Sequence, residues 1–336
     1  MDESQKPVGT PSVTIIIANH NGLSFPSPNL KDCLASIISQ EFVDFEIIIV
    51  DNGSTDGSVQ FVMDYCPSAK VLRLNENYGF VHANNIGLLH AKGRYIILLN
   101  NDTRPHKSWL GELVTQADKH PEFSILCSIQ LPDQEPDKTR DIDVYGGVRV
   151  HQPKSNSPLV RSLFASGASC LIRREWLDRL GYLFDESYGS FAEDLDLSIR
   201  TVLTGGGIAY VKSSLLWHRP GSTWKRMKRL NSTLLATRNE IASYFKVLRT
   251  KAFLKLLISR LLYIVLRIIV KRRETRKNLS MFVGIVAGIL RLPLYTKKRK
   301  SYTKIKRCPD KLLLSQLKFH PENSLEVAIW KFLARG

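Results

Sequence analysis

Short runs of β-branched and aliphatic residues, each followed by small polar residues, recur through the first hundred positions and constrain the fold most. The runs are VTIIIA (13–18), EIIIVD (46–51), VLRL (71–74) and RYIILLN (94–100). They lack the alternation of apolar and polar residues that half-exposed strands show. Such unbroken apolar runs are typical of strands buried on both faces. The segments between them, such as LKDCLASIISQ (30–40), place apolar residues at helical spacing. This alternation predicts an open, doubly wound α/β fold with a mostly parallel sheet.

Polar clusters follow the predicted strands, at the sheet edge where open α/β folds bind ligands. The clusters are Asn19-His20-Asn21-Gly22, Asp51-Asn52-Gly53-Ser54, Asn75-Glu76-Asn77-Tyr78-Gly79 and Asn100-Asn101-Asp102-Thr103. Turn formation alone accounts for any one of them, but four clusters at one edge favour a polar nucleotide site. The sequence contains neither GxGxxG nor GxxxxGK[ST], which disfavours a dinucleotide-binding dehydrogenase and a P-loop enzyme.

Charge is divided unevenly along this chain of formal net charge +17. Residues 1–218 contain 19 Lys and Arg against 26 Asp and Glu, whereas residues 219–336 contain 29 against 5. A sequence pI near 9.7 first suggests a nucleic-acid-binding protein. The basic residues, however, alternate with long aliphatic runs and do not share a polar face with stacking aromatics. We therefore expect a lipid surface as the partner, and no nucleic acid.

Cysteine usage and the amino-terminal segment indicate the compartment. The five cysteines are scattered and lack the close pairs of zinc sites and disulfide frameworks, which favours a reducing environment. The segment MDESQKPVGTPSVT has no basic region followed by an apolar stretch, as a signal peptide requires. We therefore expect the catalytic part to face the cytoplasm.

Seven segments between about residues 12 and 246 carry a resemblance to a known family. They are TIIIANHNG, EIIIVDNGSTDGS, RLNENYGFVHANNIGLLHAKGRYIILLNNDT, ASGASCLIRRE, FDESYGSFAEDLDLSIR, WHRPGST and RNEIASYFK. In this order and spacing they resemble the family-2 glycosyltransferases of the GT-A fold, especially their rhamnosyltransferase-like branch. The resemblance implies an inverting, metal-dependent enzyme that moves a sugar from a dTDP- or UDP-linked donor to a glycan hydroxyl. It also implies a lipid-linked acceptor, as in cell-surface polysaccharide assembly.

The resemblance also assigns the nucleotide site. The nucleotide-binding residues that it implies are Asn19, Asn21, Asp51, Asn77, Gly79, Asn84 and Asn101. Among them, Asn21 and Asp51 would lie against the base and the ribose. Asp51 would accept a hydrogen bond from a pyrimidine N–H.

A metal site follows from the chemistry of the leaving group and from the resemblance. A departing nucleoside diphosphate carries concentrated negative charge, which a divalent cation with carboxylate and phosphate ligands neutralises. The family's DxD element corresponds to Asn100-Asn101-Asp102, so Asp102 would be the main protein ligand of Mg²⁺ or Mn²⁺. His218, in WHRPGST, matches a family position that also reaches the metal or the diphosphate. A turn cap also accounts for Asp102, and packing beside Trp217 also accounts for His218.

A general base is required because an acceptor hydroxyl is a poor nucleophile until its proton is removed. Glu193-Asp194 opens the predicted helix AEDLDLSIRTVL, where the helix dipole alone favours carboxylates. The string resembles the family's ED motif. The resemblance implies that Asp194 is the general base and that Glu193 orients the acceptor or tunes the local charge. In-line attack would then invert the anomeric centre without a covalent intermediate.

We predict three regions along the chain. These are a polar leader (1–11), a GT-A catalytic domain (12–224) and a basic, amphipathic, largely helical region (225–336). Within the catalytic domain, residues 130–160 are rich in Pro, Asp and Gly and predict a long loop.

The C-terminal region predicts membrane association. Basic residues interrupt the apolar run over 252–277, so a helix lying in the lipid interface fits better than a spanning helix. The expected partner is an anionic membrane surface, at the cytoplasmic face of the cell membrane. A helical subdomain packed on the catalytic core is the alternative, and both can hold together.

Two further classes remain as alternatives. The reduced DxD element is compatible with a catalytically inactive GT-A-fold scaffold that binds membranes, although the presence of Asp102, Glu193 and Asp194 argues against it. A processive polysaccharide polymerase is disfavoured because clear spanning helices and a QxxRW motif are absent from the sequence.

Overall fold

A nine-stranded sheet is the centre of the computed structural model, which describes residues 10–131, 139–142, 148–151, 157–219, 229–270 and 275–316. Its strands are β1 (Val13–Asn19), β2 (Phe45–Asn52), β3 (Lys70–Leu74), β4 (Tyr95–Leu99), β5 (Thr103–Pro105), β6 (Phe123–Leu131), β9 (Leu159–Ser162), β10 (Ser169–Arg173) and β11 (Gly207–His218). The order is β3-β2-β1-β4-β10-β6-β11-β5, and β9 also pairs with β11. Only β5, β9 and β10 run antiparallel to their neighbours among these described strands. The predicted mostly parallel sheet is therefore confirmed.

Helices cover both faces of the sheet. Those of the first two thirds are α1 (Leu30–Ile38), α2 (Ser58–Tyr65), α3 (Phe80–His90), α4 (Trp109–Lys119), α5 (Arg174–Leu180) and α6 (Glu193–Leu203). Side chains of β1 alternate between two cores: Ile16 joins one together with Leu197 of α6, and Ile15 joins the other together with Leu34 of α1. The unbroken apolar runs thus reflect strands with a hydrophobic layer on each side, and the doubly wound class is confirmed.

Residues 130–160 differ from the predicted long loop. Strand β6 continues to Leu131, and two further strands, β7 (Thr139–Ile142) and β8 (Val148–His151), form a separate antiparallel pair. Strand β9 then joins the main sheet through β11. The prediction was wrong because strands of four residues are too short to show periodicity among Pro, Asp and Gly.

The C-terminal region is helical, as predicted. Its helices are α7 (Arg229–Val247), α8 (Thr250–Val270), α9 (Thr275–Leu290), α10 (Leu292–Ile305) and α11 (Asp310–Gln316). Ile241 and Tyr244 of α7 belong to the same hydrophobic core as α6 and the sheet. The region therefore packs on the catalytic part, which was one of the two alternatives.

The ends of the predicted regions fall partly outside the described residues. This holds for residues 1–9 of the polar leader and for the boundary at 224/225. Within the described ranges, no single helix combines the length and hydropathy needed to cross a membrane. Helices α9 and α10 meet that test only as a pair, and they are bent by 66° relative to each other.

Candidate active site

Three of the predicted nucleotide-binding residues meet at the carboxyl ends of β1, β2 and β4. The amide of Asn19 donates to Asp51 (3.0 Å) and to Ser54 Oγ (3.1 Å), and its carbonyl oxygen accepts from Asn101 Nδ2 (2.7 Å). Asn19 is 1% exposed and Asp51 is 4% exposed. A Cβ at Gly22 would lie 2.2 Å from Asn19 Oδ1, so only glycine fits there. Asn19 therefore positions Asp51 and Asn101.

Asn21 shapes the neighbouring loop through its backbone and its side chain. Its backbone is left-handed (φ 53°), a conformation that asparagine tolerates better than most residues. Its N–H donates to Ser54 Oγ (2.9 Å), and its Oδ1 accepts from the Thr55 N–H (2.7 Å). The loops after β1 and β2 are thereby joined, at the position where the resemblance places the base and ribose.

Asn77 and Gly79 lie together before α3. The amide of Asn52 donates to Asn77 Oδ1 and to the Gly79 carbonyl, both at 3.0 Å. Gly79 has φ +90°, and a Cβ there would lie 2.7 Å from the Gly189 carbonyl oxygen. Asn84, by contrast, is 1% exposed inside α3, where its amide donates to the Phe80 carbonyl (2.8 Å). The nucleotide role of these residues stays a prediction.

Pairing between β5 and β11 brings the two predicted metal ligands together. Thr103 lies opposite His218 in this pairing, so the residue before it, Asp102, reaches the imidazole. The distance from Asp102 Oδ1 to His218 Nε2 is 3.4 Å. On the other side of the ring, His218 Nδ1 lies 3.0 Å from Gln130 Oε1. Because the Gln130 amide nitrogen donates to Ser166 Oγ (2.6 Å), its oxygen faces the ring and accepts from Nδ1–H.

This geometry leaves the lone pair on His218 Nε2, which lies 3.4 Å from Asp102 Oδ1 and 3.4 Å from the amide nitrogen of Asn100. A metal-binding histidine ordinarily has its second nitrogen fixed in this way. Within the ranges that the structure describes, no group of three or more His, Cys, Asp and Glu side chains could hold a metal ion. Asp102 and His218 thus fit a cation such as Mg²⁺, which takes one or two protein ligands and completes its coordination with substrate phosphates and water.

The carboxylate of Asp194 lies in the first turn of α6 and is held by backbone donors. It accepts from the N–H groups of Leu195 (2.9 Å) and Gly167. A Cβ at Gly167 would lie 3.6 Å from Asp194 Cβ, an ordinary van der Waals contact, so Gly167 lies beside Asp194 although this position does not require glycine. Burial raises the pKa of Asp194, and the charge of Arg140 opposes this shift.

Glu193 differs from Asp194 in its surroundings. Its Oε2 is buried and has no hydrogen-bond partner. Burial, followed by the charge of Asp194, raises the pKa of Glu193 to about 8. Each of two adjacent buried carboxyls makes ionisation of the other less favourable.

A continuous set of contacts links the metal pair to the base. It runs from His218 through Gln130 and Ser166 to Gly167. The N–H of Gly167 donates a hydrogen bond to Asp194. Gln130 was missed from sequence because it falls in the segment predicted to be a loop. Its position at the end of a long apolar strand, FSILCSIQ, was the available signal.

Comparisons with known proteins agree with this geometry. The model of Glycosyl transferase family 2 matches residues 14–181, half of the chain. EpsH of Bacillus subtilis is 23% identical over 219 residues, which are 62% of this chain and 61% of EpsH. GalNAc-T7, solved with UDP, GalNAc and Mn²⁺, has a TM-score of 0.66 at 16% identity, over 95% of this chain and 60% of that one. TarS 1-349 of S. aureus, in complex with UDP-GlcNAc, has a TM-score of 0.57 at 15% identity, over 93% and 95%.

The mostly parallel sheet, the polar clusters at one edge and these structural likenesses define a GT-A fold. The chain belongs to glycosyl transferase family 2, because the family model matches half of it. The resemblance read from the sequence is thereby confirmed at the level of the family. The chain spans less than two thirds of the length of EpsH and of GalNAc-T7.

Proposed function

We propose that this chain is an inverting glycosyltransferase that moves a sugar from a UDP- or dTDP-linked donor to a hydroxyl of a glycan acceptor. The observation that carries the proposal is the contact series from the Asp102–His218 pair to Asp194. In this proposal the Asp102–His218 end of the series is the site of the leaving diphosphate, and Asp194 at the other end is the base. Attack and departure on opposite faces of the sugar require two such groups, and inversion follows.

Asp194 is the base in this proposal. The pKa of Glu193 is raised to about 8, so Glu193 is the carboxyl that holds a proton near neutral pH. The N–H groups of Leu195 and Gly167 favour the ionised form of Asp194. Asp194 then removes the proton of the acceptor hydroxyl as it attacks, while the carboxyl of Glu193 can donate a hydrogen bond to a sugar hydroxyl.

Asp102 and His218 would hold Mg²⁺ or Mn²⁺ on the donor side. The cation, when bound, neutralises the charge of the departing nucleoside diphosphate. Gln130 keeps His218 in the tautomer that presents Nε2. Asn19 keeps Asp51 oriented toward the pyrimidine base. The rhamnosyl or hexosyl identity of the donor belongs to the same proposal and rests on the resemblance alone.

The acceptor is proposed to be a lipid-linked saccharide, reached from the cytoplasmic face of the cell membrane. Helices α8 and α9 expose apolar side chains at helical spacing: Leu254, Ile258, Leu262, Val265, Leu279, Phe282, Val283, Val286 and Ile289. Exposed basic residues, among them Lys251, Lys255, Arg276 and Lys277, lie on the same two helices. An apolar surface bordered by positive charge is typical of proteins that lie on anionic lipid.

The test is a screen of UDP- and dTDP-linked sugars for nucleoside diphosphate release, with a membrane extract as the acceptor source. We expect release that requires Mg²⁺ or Mn²⁺ and falls by ~10²- to 10⁴-fold in Asp194→Asn, since a general base contributes about that factor. Asp64→Asn, an exposed position on α2, is the matched control and should keep full activity.

A different outcome would favour the inactive scaffold. If no nucleotide sugar binds in calorimetry and none is turned over, the enzyme proposal fails. If release occurs but is equal in Asp194→Asn, the enzyme proposal stands and the base lies elsewhere.

A further inference from the structure

A strained loop leads directly into the helix that carries Asp194. We call residues 185–192 the strap. Gly189, Phe191 and Ala192 within it have φ values of 69°, 72° and 62°. Positive φ is unfavourable for phenylalanine and alanine, and such backbone persists only where the surroundings impose it. The strap therefore needs partners that hold it.

Asn239 of α7 provides the first of these contacts. Its amide nitrogen donates to the carbonyls of Tyr188 (3.4 Å), Ser190 (3.1 Å) and Phe191 (2.9 Å). The guanidinium of Arg238 donates to Asn239 Oδ1 through Nε (3.0 Å) and Nη2 (2.9 Å), which fixes the orientation of the amide. Asn239 is fully buried. One side chain thus binds three carbonyls of the strained segment.

Lys246 provides the second contact, two helical turns further along α7 and on the same face. Its Nζ lies 2.7 Å from Asp185 at the start of the strap and 2.7 Å from Asp196 in the first turn of α6. Burial would raise the pKa of both carboxyls, but the Lys246 ammonium holds both below their usual range. Arg200 also pairs with Asp196 (2.8 Å), and Lys298 of α10 with Asp185. Helix α7 therefore binds the start of the strap, its residues 188–191 and the first turn of α6.

The opposite side of the strap contacts the start of α3. The Gly189 carbonyl accepts from the Val81 N–H (3.1 Å), and Ser190 Oγ accepts from the Phe80 N–H (3.4 Å). Gly79, a predicted nucleotide-binding residue, lies against the same Gly189 carbonyl. The strap is thus in contact with the start of α3, beside the predicted nucleotide-binding residue Gly79, and with α7. It also leads directly into α6, the helix that carries Asp194.

We propose that Asn239 and Lys246 are positioning residues that hold the strap so that Asp194 points at the acceptor hydroxyl. This rests on the proposed function, since it assigns Asp194 as the base. Neither residue touches substrate; each acts through the strap. The pattern Asn-x₆-Lys within RNEIASYFK is its signature in the sequence.

The test compares Asn239→Ala and Asn239→Leu with Ser259→Ala in the full chain. The alanine substitution leaves space for water to bind the carbonyls of the strap. The leucine substitution keeps the side-chain volume but has no hydrogen-bond donor. Ser259 is also buried, on α8, and its hydroxyl donates to the Leu256 carbonyl of the same helix, so its loss controls for general loss of a buried polar group. Loss of Lys246 would remove the buried ammonium that Asp185 and Asp196 share and would endanger folding, so Asn239 is the better probe.

Four readouts separate a positioning role from an effect on stability alone. Hydrogen exchange by mass spectrometry should rise in peptides covering 185–196 in both Asn239 variants and stay unchanged there in Ser259→Ala. Calorimetry with UDP and dTDP should show unchanged affinity. With the donor found in the screen, kcat should fall by about 10²-fold with KM for the donor unchanged, the effect expected from a small displacement of a catalytic group. The acid limb of the kcat/KM profile against pH should move.

Each result decides the matter. Unchanged exchange in 185–196 overturns the proposal whatever the activity. Increased exchange with unchanged kcat and pH profile also overturns it, because the strap would then be irrelevant to the base. If the unsubstituted protein turns over no donor, the proposed function fails, and the assignment of Asn239 as a positioning residue for catalysis fails with it, while the exchange result still shows whether α7 holds the strap.

Discussion

At the scale of single residues, the candidate site consists largely of polar groups that bond to one another. Asn19, Asn52 and Gln130 each use both ends of their amides on neighbouring side chains or backbone. Buried amides of this kind fix a single arrangement, because any rotation leaves a donor or an acceptor unpaired. Glu193 is the exception, since its Oε2 is buried without a partner.

The first prediction concerns this carboxyl and pH. The pKa of Glu193 rises from the unfolded value of 4.5 to about 8 on folding. Between these two pH values the folded state holds a proton on Glu193 that the unfolded state has lost. The protonated carboxyl therefore contributes its full stability below pH 4.5, and this is lost as the pH rises through about 8. We expect Glu193→Gln to unfold at the same urea concentration as the parent near pH 4.5 and at a higher one near pH 9. Equal midpoints at pH 9 would contradict the assigned burial.

At the scale of elements, two pairings place the functional side chains. The pairing of β5 with β11 sets Asp102 against His218. The packing of α9 on α7 depends on glycine: a Cβ at Gly284 would lie 2.7 Å from the Leu234 carbonyl, and one at Gly288 would lie 3.0 Å from the Arg238 carbonyl. Arg238, which Gly288 approaches, is next to Asn239. The close approach of α9 therefore supports the part of α7 that binds the strap.

The second prediction follows from this close packing. Gly284→Ala should lower the free energy of unfolding by ~1–3 kcal/mol, because backbone atoms of α7 cannot give way as a flexible side chain would. Gly111→Ala in α4 is the control: its Cβ would meet only Phe42 Cβ at 3.8 Å. That change should raise stability by up to ~1 kcal/mol, from helix propensity. Urea unfolding measures both, and a rise in both variants would show that α9 does not approach α7 so closely.

At the scale of the whole molecule, acidic and basic character are separated along the chain. Residues 219–336 hold 29 of the 48 Lys and Arg but only 5 of the 31 Asp and Glu. The described part of this region packs on the catalytic core with one side and exposes apolar and basic residues with another. The same helices can therefore complete the core and face a lipid surface.

The third prediction tests that surface with vesicles. The intact protein should sediment with vesicles of anionic lipid, less with neutral ones, and less as salt increases. Ile258→Glu combined with Val286→Glu should weaken binding by ~10- to 100-fold or more, because each exposed apolar side chain gains about 1.5–3 kcal/mol when buried. Val43→Glu, at a more exposed apolar position before β2, should bind as the parent does. Equal loss in all variants, or none, would remove the membrane proposal.

The sequence predicted those features that depend on local pattern. The apolar runs around Ile15, Ile48 and Ile97 predicted the parallel strands. A strand that is buried on both faces has no alternation of apolar and polar residues, so its run is unbroken. The cluster positions gave Asn19, Asp51 and Asn101, which the structure brings together.

Contacts that depend on distant pairing could not be predicted. Gln130 reaches His218 only because β6 lies beside β11, and Asn239 reaches the strap only because α7 packs against α6. The strands in 130–160 were not predicted because a strand of four residues is too short to show a periodic pattern of apolar residues. Lys246 reads as an ordinary basic helix residue until Asp185 and Asp196 are seen around it.

The contact between α7 and the strap also sets an order of events during synthesis. A ribosome delivers the chain from its amino end, so the sheet, the strap and α6 emerge before the helix that holds them. Until Asn239 has left the exit tunnel, the carbonyls of the strap lack the amide that binds them, and until Lys246 follows, Asp185 and Asp196 lack the ammonium between them. A nascent chain can thus have the sheet and its polar edge complete while the base is still unplaced. The catalytic arrangement is completed by a helix that is made after the sheet and the strap.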